Sequence, residues 1–168
     1  MPRFVRADIH EDRWYTAELP WLAQGAVPAS ALFDLRSKDN TLSLFELTEH
    51  VDSERIVIAV AAGRQSADDI GYAVFDCEPH ALGIRIEKAL GTTPDAGVNA
   101  VHYDLRQLTA QNLADLAAVI GAGDTRTILK SRVVALVAAG AASGNLERGK
   151  LRHKWAIDAA RRDGLGKG

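Results

Sequence analysis

The chain is nearly free of sulfur: among 168 residues, Cys77 is the single cysteine and Met1 the single methionine. One thiol excludes an intramolecular disulfide and any zinc site built from several cysteines, and it suits a reducing compartment. Asp76 and Glu78 flank it and disfavour a thiolate, so Cys77 does not read as a nucleophile. Long apolar runs are missing too. The longest, IVIAVAA (56–62) and VVALVAAGAA (133–142), fall well short of the roughly 20 residues that span a bilayer. The opening stretch MPRFVRADIHEDRWY meets charge before any apolar run develops, unlike a secretory signal. There is no nucleophile elbow, P-loop, dinucleotide glycine pattern or paired-histidine zinc helix, and no solenoid repeat or low-complexity tract. The expectation is a cytoplasmic, non-membrane protein with no cofactor and no metal.

What is present suffices for one folded domain. Apolar residues make up 47% of the chain and charged ones 25%, the balance of a protein that can bury a single core. Charge is unevenly divided. Residues 1–123 carry 10 Lys or Arg against 18 Asp or Glu, whereas residues 124–168 carry 10 against 4. A basic segment on an acidic body points either to an acidic partner or to docking of the tail on its own body.

The pattern divides the chain into a loop-rich aromatic arm (1–30), an acidic α+β body (31–123) and a basic helical C-terminal segment (124–168), all within one compact domain. In the arm, Pro20 and Pro28 punctuate a stretch where Trp14, Tyr15 and Trp21 lie close together. These rings either anchor the arm to the core or form an aromatic patch for a partner. ASALFDLRSKDNTLSLFELTEH (29–50) reads as a β-hairpin, SKDN supplying the turn. In its second strand Leu42 and Leu44 share one face and Phe45 and Leu47 the other, so both faces are expected to be covered. Asp52 or Ser53 caps a helix over 54–62 that stops at Gly63, although the run Ile56-Val57-Ile58 also suits a strand. Residues 66–76 and 100–108 read as strands, 82–90 as strand or helix, and GTTPDAG (91–97) as a loop whose turn is set by Pro94 and Asp95. Thr109 caps a helix, GAG (121–123) ends it, and Asp124 or Thr125 opens the next. GAASGN (140–145) breaks that helix before a last one, LERGKLRHKWAIDAARRDG. The fold class is therefore α+β, with a mixed or antiparallel sheet of about four to five strands and a helical C-terminal third.

Two features carry candidate chemistry. FDLR (33–36) recurs as YDLR (103–106). If both are strands, each turns an aromatic residue and a leucine inward and an Asp-Arg pair outward, the pattern of a half-buried strand. Were the strands neighbours, Asp34, Arg36, His102, Asp104 and Arg106 would meet on one sheet face. There a histidine between carboxylates and two arginines would suit acid–base work on a phosphate or carboxylate substrate. Cross-strand ion pairing explains the same residues without a site. The second feature is the basic C-terminal helix, with Arg148, Lys150, Arg152, His153 and Lys154 in its first turns, Trp155 at its centre, and Arg161 and Arg162 beyond. Such a helix contacts phosphate backbones, docks on an acidic protein, or only keeps a terminus soluble.

Three functions follow as expectations. The leading one is a non-enzymatic protein that binds another macromolecule, with a protein as the partner, through the aromatic arm and the divided charge. The second is nucleic-acid binding through the basic tail. The third is a small enzyme using the His102 face.

Overall fold

The computed structural model describes residues 1–14, 28–35 and 40–162. Its frame is one antiparallel sheet of six strands. In chain order come β1 (Arg3–Ile9), α1 (Glu11–Trp14), a 3-10 turn at Ala29–Phe33, β2 (Thr41–Glu46), α2 (Ser53–Ala62) and β3 (Ile70–Asp76). A 3-10 turn at Pro79–Leu82 leads to β4 (Arg85–Lys88), α3 (Ala96–Asn99), β5 (His102–Arg106), α4 (Ala110–Gly121) and β6 (Asp124–Ile128). The chain closes with α5 (Lys130–Ser143), a 3-10 turn at Arg148–Lys150 and α6 (Lys154–Arg162). Across the sheet the order is β4-β5-β2-β1-β3-β6, with every neighbouring pair antiparallel.

Helices cover both sides. On one face Val5, Phe45, Tyr72 and Val74 pack with Ile56 and Val57 of α2, Val133 and Val137 of α5, and the alanines of α6. On the other, Phe4, Leu42, Leu44, Phe75 and Leu105 meet Leu116, Ala117 and Ile120 of α4. Period-2 alternation along β2 thus feeds two cores, as the sequence pattern requires. Helix α2 wins over the competing strand because its β-branched run is buried on the sheet and its N-terminus is capped, Arg55 N donating to Asp52 Oδ1 at 2.8 Å. Thr109 and Asn112 close a reciprocal capping box at the start of α4.

Four expectations change. The sheet has six strands, not four to five. One of the extra strands, β1, lies within the segment read as a loop-rich arm and occupies the centre of the sheet, between β2 and β3. Phe4 and Ile9 pack into one core and Val5 and Ala7 into the other, so the bulge at Asp8 leaves no clean period-2 pattern in the sequence. Residues 31–35 form a 3-10 segment and a turn rather than a hairpin strand, since β1 and β5 already occupy both edges of β2. Finally, the C-terminal third does not begin as a helix. Asp124–Ile128 pair with the free edge of β3, a place suited to the β-branched Thr125, Thr127 and Ile128. Helix α5 starts only at Lys130, and Arg148 to His153 precede α6 instead of forming its first turns.

Candidate anion-binding cleft

The site begins with an irregularity in β1. Ala7 pairs with Tyr72 and Ile9 with Gly71, leaving Asp8 as an extra, bulged residue with φ of 65°. A bulge re-aims its side chain, and aspartate tolerates the left-handed region better than most residues. The Asp8 carboxylate meets Arg64, just beyond α2, at 3.0 Å. One residue earlier in alternation, Arg6 lies where β1 and β2 part, since their pairing is confined to Phe4 with Glu46 and Val5 with Phe45. Its guanidinium donates to the backbone carbonyls of Ser43 and Asp34, both at 3.2 Å. The Nε of Arg6 is buried without a hydrogen-bond partner among the described residues. Burial pulls this guanidinium below its ordinary pKa, while the charges of Asp8 and Asp34 partly oppose the shift.

These side chains line a cleft of about 420 Å³. Its second wall is the segment entering α6, which contributes Lys150, Arg152 and His153. Gly91, Thr92, Thr93 and Pro94 form a third side, and Phe45 and His102 lie on the sheet beside them. The Thr92–Thr93 loop is held firmly. Asn99 Oδ1 accepts from both the backbone N and the hydroxyl of Thr93, at 2.9 and 2.8 Å. Asp95 accepts from Gly97 N and Val98 N and takes a two-pronged ion pair from Arg55, at 2.7 and 2.9 Å. Glu147 N donates to the Pro94 carbonyl at 2.8 Å, fastening the loop to the chain just before the basic segment.

Four permanent cations therefore line the cleft (Arg6, Arg64, Lys150 and Arg152) against one carboxylate, Asp8. Arg64 is paired with Asp8, and Lys150 reaches Glu147 at 2.8 Å. Arg152 is exposed and makes no side-chain bond among the described residues. His102 stacks on Phe45, with ring centroids 4.9 Å apart. Burial lowers the pKa of His102. Asp104 and the Leu90 carbonyl act the other way, and Lys88 adds to the lowering. The net lowering favours the neutral ring, and its buried Nδ1 makes no hydrogen bond of normal geometry among the described residues.

The residues singled out in sequence are dispersed. Asp34 does not join His102. It sits in the core on the α4 face, with only 1% of its side chain exposed, and acts as a hub. It accepts from His10 N at 2.8 Å, Arg13 Nη1 at 2.6 Å and Trp14 Nε1 at 2.8 Å, with His10 Nδ1 at 2.9 Å. Arg36 lies outside the described residues. Asp104 and Arg106 make cross-strand and local pairs: Arg106 meets Glu87 at 3.0 Å and Asp104 at 3.3 Å, and His102 lies 3.6 Å from Asp104. Of the proposed sheet-face site, only His102 reaches the cleft. Trp14 is buried on Asp34 and anchors its segment; Tyr15 and Trp21 lie outside the described residues. From the basic set, Lys150 and Arg152 line the cleft, Lys154 and Arg162 line a neighbouring one, Arg148 donates to the Ala141 carbonyl, and Arg161 is exposed.

Sequence reading missed Arg6, Asp8 and Arg64. The usable signal was an Arg-x-Asp pair within an alternating apolar stretch, which marks charges that a strand must place somewhere specific. Among the described residues no group of three His, Cys, Asp or Glu side chains is placed to hold a metal ion. Burial, reinforced by Glu78, pushes the Cys77 thiol up to about 11, leaving it unreactive. No helix among the described residues is long and apolar enough to cross a membrane. Compared with protein-family models, with curated proteins and with solved structures, the chain matches none.

Proposed function

We propose that this protein binds an oxyanion, a phosphate- or carboxylate-bearing ligand, in the cleft between the β1–β2 opening and the segment entering α6. The observation that carries this reading is the convergence of Arg6, Arg64, Lys150 and Arg152, drawn from three remote parts of a chain of net charge −2, around one carboxylate. Arg64 and Lys150 are already paired with Asp8 and Glu147, but the Nε of Arg6 and the guanidinium of Arg152 have no partner among the described residues, and a bound anion would supply one. Arginine offers planar donors matched to phosphate and carboxylate, and the cleft has the size of a small-ligand site. Binding is favoured over catalysis because the acid–base reading needed Asp34 beside His102, and the two lie on opposite faces of the sheet. The protein-binding reading loses its aromatic patch at Trp14, which is buried.

The test is calorimetric titration with pyrophosphate and with a tricarboxylate, on the wild type and on Lys150→Gln/Arg152→Gln. Both substituted residues are exposed, so the variant is expected to fold. Saturable binding by the wild type, weakened about tenfold or more in the variant, is the expected result, because one charge-assisted hydrogen bond is worth about 1.5–3 kcal/mol. Equal binding by both proteins, or saturable binding by neither, refutes the proposal.

A further inference from the structure

A second cleft, of about 560 Å³, adjoins the first and is also rich in cations. Lys130, Lys154 and Arg162 line it against a single carboxylate, Asp158, with Trp155 among them. Both clefts are built from the same two stretches of chain. Gly63 and Arg64 line the first, and Gln65, Ser66 and Ala67 the second. Likewise Lys150, Arg152 and His153 line the first, and Lys154 and Trp155 the second. The join is fixed, since Trp155 Nε1 donates to the Arg64 carbonyl at 3.0 Å. Cations therefore line both clefts, and the half-buried indole of Trp155 lies where the two share chain segments.

From this continuity we infer that the ligand is a single-stranded nucleic acid, its phosphates following the cations from the first cleft into the second and a base stacking at Trp155. The inference rests on the reading of the first cleft as an oxyanion site and extends it. A small anion needs only the first cleft and leaves the second unexplained. A backbone carrying one charge per nucleotide uses both. The combination of a cationic groove with an aromatic side chain is how single strands are held without base-specific contacts, stacking alone being worth roughly tenfold in affinity per base. A duplex presents its phosphates on a convex rod with its bases already stacked, and so gains nothing from an indole set among cleft residues.

The experiment measures fluorescence anisotropy of labelled single-stranded DNA and RNA, from about 4 to about 16 nucleotides long. Proteins compared are the wild type, Lys130→Gln/Lys154→Gln and Trp155→Leu, with pyrophosphate calorimetry run on the same samples. Affinity is expected to rise with length until both clefts are filled, and to fall with salt. For single strands the logarithmic salt slope is about −0.7 for each phosphate contacted. Lys130→Gln/Lys154→Gln alters exposed residues only, so it isolates the second cleft. It is expected to lower oligonucleotide affinity about tenfold and the salt slope by about 1.4, leaving pyrophosphate binding unchanged. Trp155→Leu is expected to cost about tenfold at unchanged salt slope. Pyrophosphate binding with no length-dependent oligonucleotide binding overturns this inference and leaves the oxyanion site standing; loss of both overturns both. Binding of a duplex or of polyglutamate as tight as that of the single strand also overturns it.

Discussion

Gly71 shows how a single missing side chain fixes the geometry of the cleft. It faces Ile9 across the bulge in β1, and a Cβ built on it would fall well inside contact distance of the Ile9 carbonyl oxygen. Backbone there cannot move aside without breaking the pairing of β1 with β3. Gly71→Ala is therefore expected to destabilise the protein by about 1–3 kcal/mol, the usual cost of forcing atoms into a packed site. It should also disturb the bulge that presents Asp8 to Arg64. Urea unfolding of the purified variant measures the first effect; a stability within about 0.5 kcal/mol of wild type, the range of neutral surface changes, would contradict it. An isolated glycine in the strand DDIGYAVFD signals a bulge or a close backbone approach without saying which backbone comes near. Its meaning depends on β1, a partner more than sixty residues away in sequence.

At the scale of elements, what was legible in the chain was whatever depends on local chemistry. The cap at Thr109, strands within 66–76 and 100–108, and the two-faced burial of β2 follow from spacing and capping, whereas 54–62 suits helix or strand and is settled as a helix capped by Asp52, not Ser53. What was not legible depends on competition for edges. FDLR and YDLR have the same pattern, yet the second forms β5 while residues 33–35 of the first end a 3-10 segment and a turn, because β1 and β5 already occupy both sides of β2. Asp124 and Thr125 in DTRTI suggest the start of a helix, yet the free edge of β3 takes the segment as a strand. The candidate site was half legible for the same reason: Lys150 and Arg152 stand in an obvious basic run, whereas Arg6 and Arg64 join them only through the sheet. The brace between elements makes a prediction of its own. Arg55 of α2 holds Asp95, whose carboxylate is 1% exposed and caps α3, and that loop forms one side of the cleft. Arg55→Leu strands a buried carboxylate and is expected to cost about 3 kcal/mol. The double variant Arg55→Leu/Asp95→Asn should cost less than the two singles added together, with a coupling above about 1 kcal/mol. Strict additivity in denaturant unfolding would show that the two side chains are not energetically joined.

At the scale of the whole molecule, a half-buried histidine on one face of the sheet and a buried aspartate on the other set how stability responds to acid. Burial lowers the pKa of His102 in the fold, so the unfolded chain takes up its proton first, near the ordinary value of about 6.5. The stability due to the neutral ring is complete above that value and is lost as pH falls through the lowered folded one. Asp34 is also lowered in the fold, for a different reason. Burial alone would raise it, but the hydrogen bonds from His10, Trp14 and Arg13 outweigh burial. Its contribution is complete above the unfolded value of about 3.9 and disappears as pH falls through the lower folded value. Because the two groups belong to different faces of the sheet, their losses should be separable. The wild type should weaken in two stages, one beginning near pH 6.5 and one below pH about 3.9. His102→Gln should flatten the upper stage and leave the lower, and Asp34→Asn the reverse, at the cost of a lower stability at neutral pH. Urea unfolding at a series of pH values on the three proteins measures this directly. An upper stage that persists without His102 would mean that another group on the cleft side, and not this buried ring, couples the fold to pH.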